Sequence, residues 1–213
     1  MKKLYVVGNR TSKSLSPTIF NYWFKKYNIK ASYGYLELTE KNFHKEINEV
    51  LKRKDTLGLN VTIPFKNKII KHLGKIDAHA KKIGAVNCVT NKKTINGTNT
   101  DWTGYYKTLP NIKKTSSRKV IILGYGGASH AIHYVLKKRG FKDILIFNRS
   151  KKKIKYSNKT QYTKTYSDLE KHLSGVFLII NTTPINPILK KHLRLITKST
   201  IVSDIVYSPK NTT

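Results

Sequence analysis

Ten residues constrain the fold more than any others in this chain: Val120-Ile121-Ile122-Leu123-Gly124-Tyr125-Gly126-Gly127-Ala128-Ser129. A β-branched run leads into glycines, and a helix-patterned stretch from His130 to Lys138 follows. Strand, tight turn and helix start, in that order, are the context in which a glycine-rich loop receives a dinucleotide. Gly124 permits the turn. Gly126 has no Cβ, so a pyrophosphate can approach the backbone. Small residues at Gly127, Ala128 and Ser129 let the helix open close to the strand, with its first N–H groups facing the phosphates. Ser129 stands where the full fingerprint has its third glycine. The same residues also suit an ordinary tight βα turn, so other parts of the chain must decide between the two.

Strands and helices alternate on both sides of this loop, which predicts an α/β architecture. Strand Leu4–Val7 leads through a polar loop to Ser16, the natural N-cap of a helix from Pro17 to Tyr27. Ile19, Phe20, Trp23 and Phe24 recur there at helical spacing and are expected to be core. Strand Tyr33–Leu38, a helix over Glu40–Lys54 capped by Thr39, and strand Leu57–Val61 come next. Pro64 is expected to open another helix, with His72 and His79 on helix surfaces. Strand Ala85–Thr90 turns at Asn91–Lys93 into Thr94–Thr98, and a linking helix runs from Trp102 to Leu109. The polar, proline-punctuated stretch that follows places the junction of two domains within Asp101–Ser117, giving domains 1–101 and 102–213. The second half repeats a βα rhythm. Its strands are Val120–Leu123, Ile144–Phe147, a weaker Tyr162–Thr165, Val176–Ile180 and Thr200–Asp204, with short helices after Ser150, over Ser167–Leu173 and after Pro187.

The formal net charge of +31 invites a nucleic-acid reading. The kind and distribution of the cations argue against it. Only 6 of the 42 basic residues are arginine, the side chain that reads bases and clamps phosphates in bidentate fashion. The cations also divide evenly, 20 before residue 102 and 22 from there on. Specific nucleic-acid binding is therefore not expected, while long-range steering of anionic ligands is. No apolar run is long enough to cross a membrane, and Met1-Lys2-Lys3 leads straight into a strand, so neither membrane insertion nor a signal peptide is expected. One cysteine, Cys88, fits a reducing cytoplasm, and without clustered thiolates or other ligand sets no metal is expected.

Ligands of open α/β sheets bind beyond the carboxyl ends of the parallel strands. Polar residues collect there: Ser14 and Ser16, Thr62 and Lys66, Asn87, Asn99 and Asp101. Hydroxyls, amides, a cation and a carboxylate together suit a small polyhydroxy acid. Lys66 and Asp101 fit a proton-transferring lysine with an orienting carboxylate. Taken without the rest of the pattern, they better fit a lysine at a helix start and an aspartate capping the Trp102 helix. A site for NAD carries an acid at the end of the second strand of its fold. That end here reads Phe147-Asn148-Arg149-Ser150-Lys151-Lys152-Lys153. Arg149 suits the adenine and a 2′-phosphate, with Asn148, Ser150 and Lys153 assisting, which favours NADP. A solvated basic turn is the other reading of this stretch.

With these residues in order, the chain resembles the shikimate dehydrogenase family along its whole length. The resemblance is carried by Ser14-Leu15-Ser16-Pro17, Asn60-Val61-Thr62-Ile63-Pro64-Phe65-Lys66, Gly84-Ala85-Val86-Asn87 and the run from Asn96 through Asp101 to Gly104. It continues through the glycine loop, Asn148-Arg149-Ser150, Asn181-Thr182-Thr183-Pro184 and Asp204-Ile205-Val206-Tyr207-Ser208-Pro209. It implies a two-domain α/β protein with an N-terminal substrate domain and a Rossmann-like NADP-binding domain. It further implies NADPH-dependent reduction of 3-dehydroshikimate to shikimate in chorismate and aromatic amino-acid biosynthesis, by a monomer or homodimer. Lys66 and Asp101 would be catalytic, and Ser14, Ser16, Thr62, Lys66, Asn87, Asp101 and Tyr207 would bind substrate. Gly124, Tyr125, Gly126, Gly127, Ala128, Ser129, Asn148, Arg149, Ser150, Lys153, Thr182 and Ile205 would bind the cofactor. Quinate in place of shikimate is the alternative substrate. Two residues depart from the family pattern: Tyr125, expected to point to solvent, and Trp102, where the family has glycine. The family's pattern also runs past Thr213 with a glycine-rich turn and a helical segment. The second domain is accordingly expected to be incomplete at its C-terminus, and an inactive nucleotide-binding remnant is the remaining alternative.

Overall fold

A run of strand-forming residues at the N-terminus builds β1 (Lys2–Gly8), which lies between β2 (Ala31–Glu37) and β3 (Thr56–Val61) and pairs parallel to both. The structure is a computed structural model; it describes residues 1–110, 112, 115–154, 161–185 and 187–205. The chain divides into two compact units, Met1–Thr100 and Asp101–Thr213.

The first unit completes its sheet with β4 (Lys75–Ile76), β5 (Cys88–Asn91) and β6 (Ile95–Thr98), in the order β2-β1-β3-β5-β6-β4. Strand β5 runs antiparallel to β3. Its entry, with Asn87, therefore meets the carboxyl end of β3. Helix α2 (Phe43–Lys52) buries Phe43, Ile47, Val50 and Leu51 against Val7, Leu59, Val61, Phe65 and Ile69. Each such side chain, fully buried, is worth roughly 1.5–3 kcal/mol. Thr39 and Asn42 cap each other before this helix: the Thr39 amide donates to Asn42 Oδ1 (2.7 Å) and the Asn42 amide to Thr39 Oγ1 (3.4 Å). Helix α3 (Ala78–Ile83) is capped by Asp77, whose carboxylate accepts from the amides of His79 and Ala80, and it ends at left-handed Gly84.

Two expectations for this unit fail. No α-helix follows Pro64. The Ile63–Pro64 peptide is cis, and the chain makes turns and one 3-10 segment, Ile69–His72, anchored by the buried rings of Phe65 and side chain of Ile69. His72 lies in that segment; its Nε2 is 2.8 Å from His44 Nδ1 and its Nδ1 is 2.7 Å from Asn48 Oδ1, which ties the segment to α2. Helix α1 (Ser16–Lys26) is not plain core either. Pro17 is its one buried residue; Phe20 and Phe24 are half-buried, and Ile19 and Trp23 are exposed. The helix lies on β2, an edge strand, which offers a narrower apolar surface than the helix's stripe. Ser16 is the first helical residue instead of the cap, and its amide donates to Ser14 Oγ at 3.2 Å.

The second unit begins with α4 (Asp101–Thr108) and builds an all-parallel sheet in the order β11-β8-β7-β12-β13. Its strands are β7 (Lys119–Leu123), β8 (Ile144–Asn148), β11 (Lys164–Thr165), β12 (Val176–Asn181) and β13 (Ile201–Asp204). Helix α5 (Gly127–Lys138) crosses from β7. Among the described residues no helix follows Ser150 directly; β9 (Lys153–Ile154) pairs with β10 (Gln161–Tyr162). The helices expected over Ser167–Leu173 and after Pro187 are 3-10 turns. The apolar run of β7 is buried on both faces, as a central parallel strand requires: Val120 and Ile122 join one cluster with α5, Ile121 and Leu123 join another with Leu169 and Leu173. Trp102 meets the ring of Tyr134 edge-on at 5.7 Å, and the Arg139 guanidinium lies 3.9 Å over Tyr106 while donating to its carbonyl. Among the described residues no helix is long and apolar enough to cross a membrane.

Burial, with Lys137 and His130 alongside, pushes the His133 imidazole down from 6.5 to about 4. The unfolded chain takes up this proton as pH falls through 6.5, and the folded protein does not until about pH 4. Stability is therefore full above the unfolded value and declines across that window by about 3 kcal/mol. Urea unfolding measured from pH 7 to pH 4 is expected to show this loss, with a slope reduced by about one proton in His133→Gln.

Candidate active site

In the first unit the candidate residues gather where β1 and β3 end. Gly8 closes β1, and a Cβ there would lie 2.5 Å from Thr62 Cγ2, so only glycine lets the Thr62 turn come this close. The Thr62 amide donates to Val7 O (2.8 Å) and the Asn9 amide to Ile63 O (3.2 Å). Four residues on, Lys66 is half-buried, and its carbonyl accepts from the Val86 amide at 2.8 Å, which holds the lysine segment beside the entry to β5. Asn87 stands there, its backbone bonded to Val61 on one side and to Thr98 on the other. Its side chain is bracketed by Thr100: Oδ1 accepts from the Thr100 amide (2.8 Å), and Nδ2 donates to Thr100 Oγ1 (2.9 Å). Ser14 and Ser16, both half-buried, follow a turn whose Thr11 and Ser12 amides donate to Glu37 Oε2 at 3.0 and 3.2 Å.

Thr62, Lys66, Asn87 and the serine pair thus come together at one end of one sheet. Asn99 does not join them as an open group. It is 3% exposed, and its Nδ2 donates to Ala85 O at 2.9 Å, tying the end of β6 to the start of the Asn87 segment. The Thr100 bracket was not legible in the sequence, because it forms across thirteen residues that only the hairpin brings together.

Asp101 opens the second unit as the first residue of α4 and is half-buried. The glycine loop lies between β7 and α5. Gly124 has φ +97, and a Cβ on it would meet Thr182 Oγ1 at 2.6 Å. Thr182 donates from both amide and hydroxyl to Leu123 O (2.9 and 2.7 Å), so the two loops are fastened together. Gly126 is exposed, is the N-cap of α5 without a side-chain cap, and has open space where a Cβ would sit. With Gly127 and Ala128 half-exposed behind it, the positive end of the helix dipole faces outward through a gap that a side chain would fill, which suits a phosphate. Ser129 is fully buried and donates to Gly126 O at 2.7 Å, so its hydroxyl closes the helix start.

Tyr125 does not point to solvent. It is 8% exposed, belongs to the α5 cluster, and its ring lies 4.4 Å from that of His130. A large side chain between two turn residues is accommodated by folding inward onto the helix it precedes. At the end of β8, Asn148 Nδ2 donates to Ser150 O (3.0 Å), while Arg149, Ser150 and Lys153 are exposed. Ile205, after β13, is half-buried and its amide donates to Asn181 O at 3.2 Å. Tyr207 lies outside the described residues. Sequence reasoning missed Tyr166. The register Thr165↔Asn148 sets it next to Arg149, on the side of the sheet end where the glycine loop begins. Burial raises its pKa, opposed by the charge of Arg149. Among the described residues no group of three or more His, Cys, Asp or Glu could hold a metal ion.

The two loop glycines should respond differently to alanine. Gly124→Ala places a side chain at positive φ and against Thr182 and is expected to cost roughly 1–3 kcal/mol in urea unfolding. Gly126→Ala should stay within about 1 kcal/mol of the parent, because its backbone is ordinary and its surroundings are open.

Comparison with known proteins agrees with both halves of this geometry. Residues 6–89 match the family model for the shikimate dehydrogenase substrate binding domain, and residues 107–206 match that for shikimate / quinate 5-dehydrogenase. A curated Staphylococcus aureus protein named shikimate dehydrogenase (NADP(+)) is 35% identical over 99% of this chain and 80% of its own length. Shikimate dehydrogenase 1 from Peptoclostridium difficile superposes with a TM-score of 0.83 at 29% identity, over 100% of this chain and 80% of that one. A Listeria monocytogenes shikimate 5-dehydrogenase, solved in complex with shikimate and NAD, gives a TM-score of 0.71 at 28% identity, over 100% and 81% of the two chains. With motifs, fold and relatives in agreement over both units, the chain belongs to the shikimate dehydrogenase family.

Proposed function

We propose that this chain is an NADP-dependent shikimate dehydrogenase that interconverts 3-dehydroshikimate and shikimate in aromatic amino-acid biosynthesis. Residues 1–101 bind the substrate and residues 102–213 hold the cofactor. The observation that carries this reading is the gathering of Ser14, Ser16, Thr62, Lys66 and Asn87 at one end of the first sheet. A cation and several hydroxyl and amide groups at that spacing match a small acid with several hydroxyls, each of which needs a partner once it leaves water.

Ser14 and Ser16 hold the carboxylate. Thr62, Asn87 and Tyr207 hold the remainder of the ring, with Asn87 kept in place by its bracket to Thr100. Lys66 gives or takes the proton at the reacting oxygen, and Asp101 is its partner. The open cradle at Gly126 fits a pyrophosphate, and the exposed cation Arg149 fits a 2′-phosphate. When bound there, NADP supplies the hydride acceptor for the alcohol carbon. The basic surface draws both anionic ligands inward. The reading places the enzyme in the cytoplasm, where the single free thiol, Cys88, stays reduced.

Shikimate-dependent reduction of NADP⁺ tests the proposal. Lys66→Ala is expected to lower kcat by about 10²–10⁴ with little change in KM for shikimate; absence of turnover by the parent protein would refute the activity. Arg149→Ala is expected to raise KM for NADP⁺ about tenfold or more while leaving the weaker use of NAD⁺ unchanged. A parent protein that prefers NAD⁺ would overturn the choice of cofactor.

A further inference from the structure

The chain leaves β8 at Asn148 and enters β9 at Lys153, and the turn between them carries Arg149, Ser150, Lys151 and Lys152, all exposed. Exposed polar residues give a turn little packing to fix its shape, so its hydrogen bonds decide it. Most of these bonds lead to one buried residue. Thr163 follows β10 and is 2% exposed. Its amide donates to Lys152 O at 2.9 Å, which carries the β9–β10 pairing one step beyond Tyr162↔Lys153. Its hydroxyl accepts from the Lys152 amide at 2.9 Å and donates to Ser150 O at 3.2 Å. Ser150 O accepts a second bond, from Asn148 Nδ2 at 3.0 Å. Beyond the turn, Ile154 is 5% exposed and belongs to the α5 cluster.

The hydrogen count follows. Both backbone groups of Lys152 end on Thr163, and the one hydroxyl proton of Thr163 goes to Ser150. Arg149 lies between Asn148 and Ser150, which are tied to each other, and Ser150 is tied to Thr163. The backbone of Arg149 is thus held on both sides while its side chain stays in solvent. A guanidinium meets a phosphate as a planar fork, a contact that depends on angle as well as distance. A turn without these ties would have to be ordered as the phosphate binds, and affinity would fall.

We infer that Thr163 is a positioning residue for the choice of cofactor: its hydroxyl holds the turn after β8 in the shape that presents Arg149 to a 2′-phosphate. The inference rests on the reading above that Arg149 takes the 2′-phosphate. Thr163 acts through the turn and is itself too buried to meet the ligand. The pyrophosphate goes to the gap at Gly126, on another loop, so the Thr163 hydroxyl serves NADP and not NAD.

Calorimetric titration of the whole chain with NADP⁺ and with NAD⁺, at one moderate salt concentration, tests this without requiring turnover. Thr163→Val keeps the shape of the side chain and removes the hydroxyl. It is expected to weaken NADP⁺ binding about five- to tenfold and NAD⁺ binding by less than about twofold. Thr163→Ser keeps the hydroxyl and should bind NADP⁺ within about twofold of the parent. In an Arg149→Ala background, Thr163→Val should weaken NADP⁺ binding by less than about a further twofold, because the group it positions is gone. Circular dichroism reports folding; if the valine variant does not fold, Thr163→Ala removes the same hydroxyl with more room at the Lys152 amide and takes its place. Equal losses for NADP⁺ and NAD⁺, a loss in Thr163→Ser as large as in Thr163→Val, or a loss undiminished by Arg149→Ala would each overturn the inference. A loss of NADP⁺ binding in Arg149→Ala with none in Thr163→Val would overturn the inference and leave the cofactor reading standing. No loss in Arg149→Ala would refute that reading and the inference with it.

Discussion

In both units a glycine at the end of a parallel strand fits closely against a threonine on the loop after the neighbouring strand. Gly8 meets Thr62 in the first unit and Gly124 meets Thr182 in the second. In each pair the threonine amide donates back to the residue before the glycine, Val7 or Leu123. Parallel pairing forces this arrangement. Neighbouring strands end at the same level, so their exits crowd one another, and the crowd resolves only where one partner has no side chain. The same crowding lets polar side chains from different strands converge. A loop pushed away by a Cβ at Gly8 would carry Thr62 and the Lys66 segment away from the serine loop.

The two units apply this device differently. In the first, the loops present side chains: hydroxyls, an amide and an amine arranged around one strand end. The antiparallel entry of β5 adds Asn87 from the opposite direction. In the second, the loop presents backbone. Gly126 leaves a gap, Ser129 turns its hydroxyl inward, and Tyr125 folds into the core. Side-chain donors suit a ligand recognised by the pattern of its hydroxyls. Backbone donors at a helix start suit a phosphate recognised by charge.

The candidate site was legible in the sequence wherever function is written in short stretches. Thr62 and Lys66 lie four residues apart in one motif, Ser14 and Ser16 two apart, and the glycine loop in six consecutive residues. What was not legible acts across the sheet. Thr100 and Tyr166 each fell between an expected strand and an expected helix. Each gains its role from the strand register, which no local spacing encodes. The misjudged elements have a related cause. Helical periodicity in α1 named its apolar face correctly but could not say that an edge strand would cover only part of it. The helix expected after Pro64 gave way to turns because Phe65 and Ile69 are drawn into the core shared with α2.

By itself the sequence determined the alternation of strands and helices, the two-part α/β architecture, the family and the short motifs. These depend on periodicity, glycine placement and adjacent polar residues, all of which act within a few positions along the chain. The tertiary structure decided which of the named residues gather at the strand ends and which serve the scaffold. Asn99 and Ser129 became internal ties, Tyr125 became core, and Asn87 became a bracketed side chain. That division depends on which polar groups find protein partners when the strands pair. A hydroxyl or amide satisfied inside the fold has little left to offer a ligand, and only the three-dimensional arrangement settles where each hydrogen bond goes.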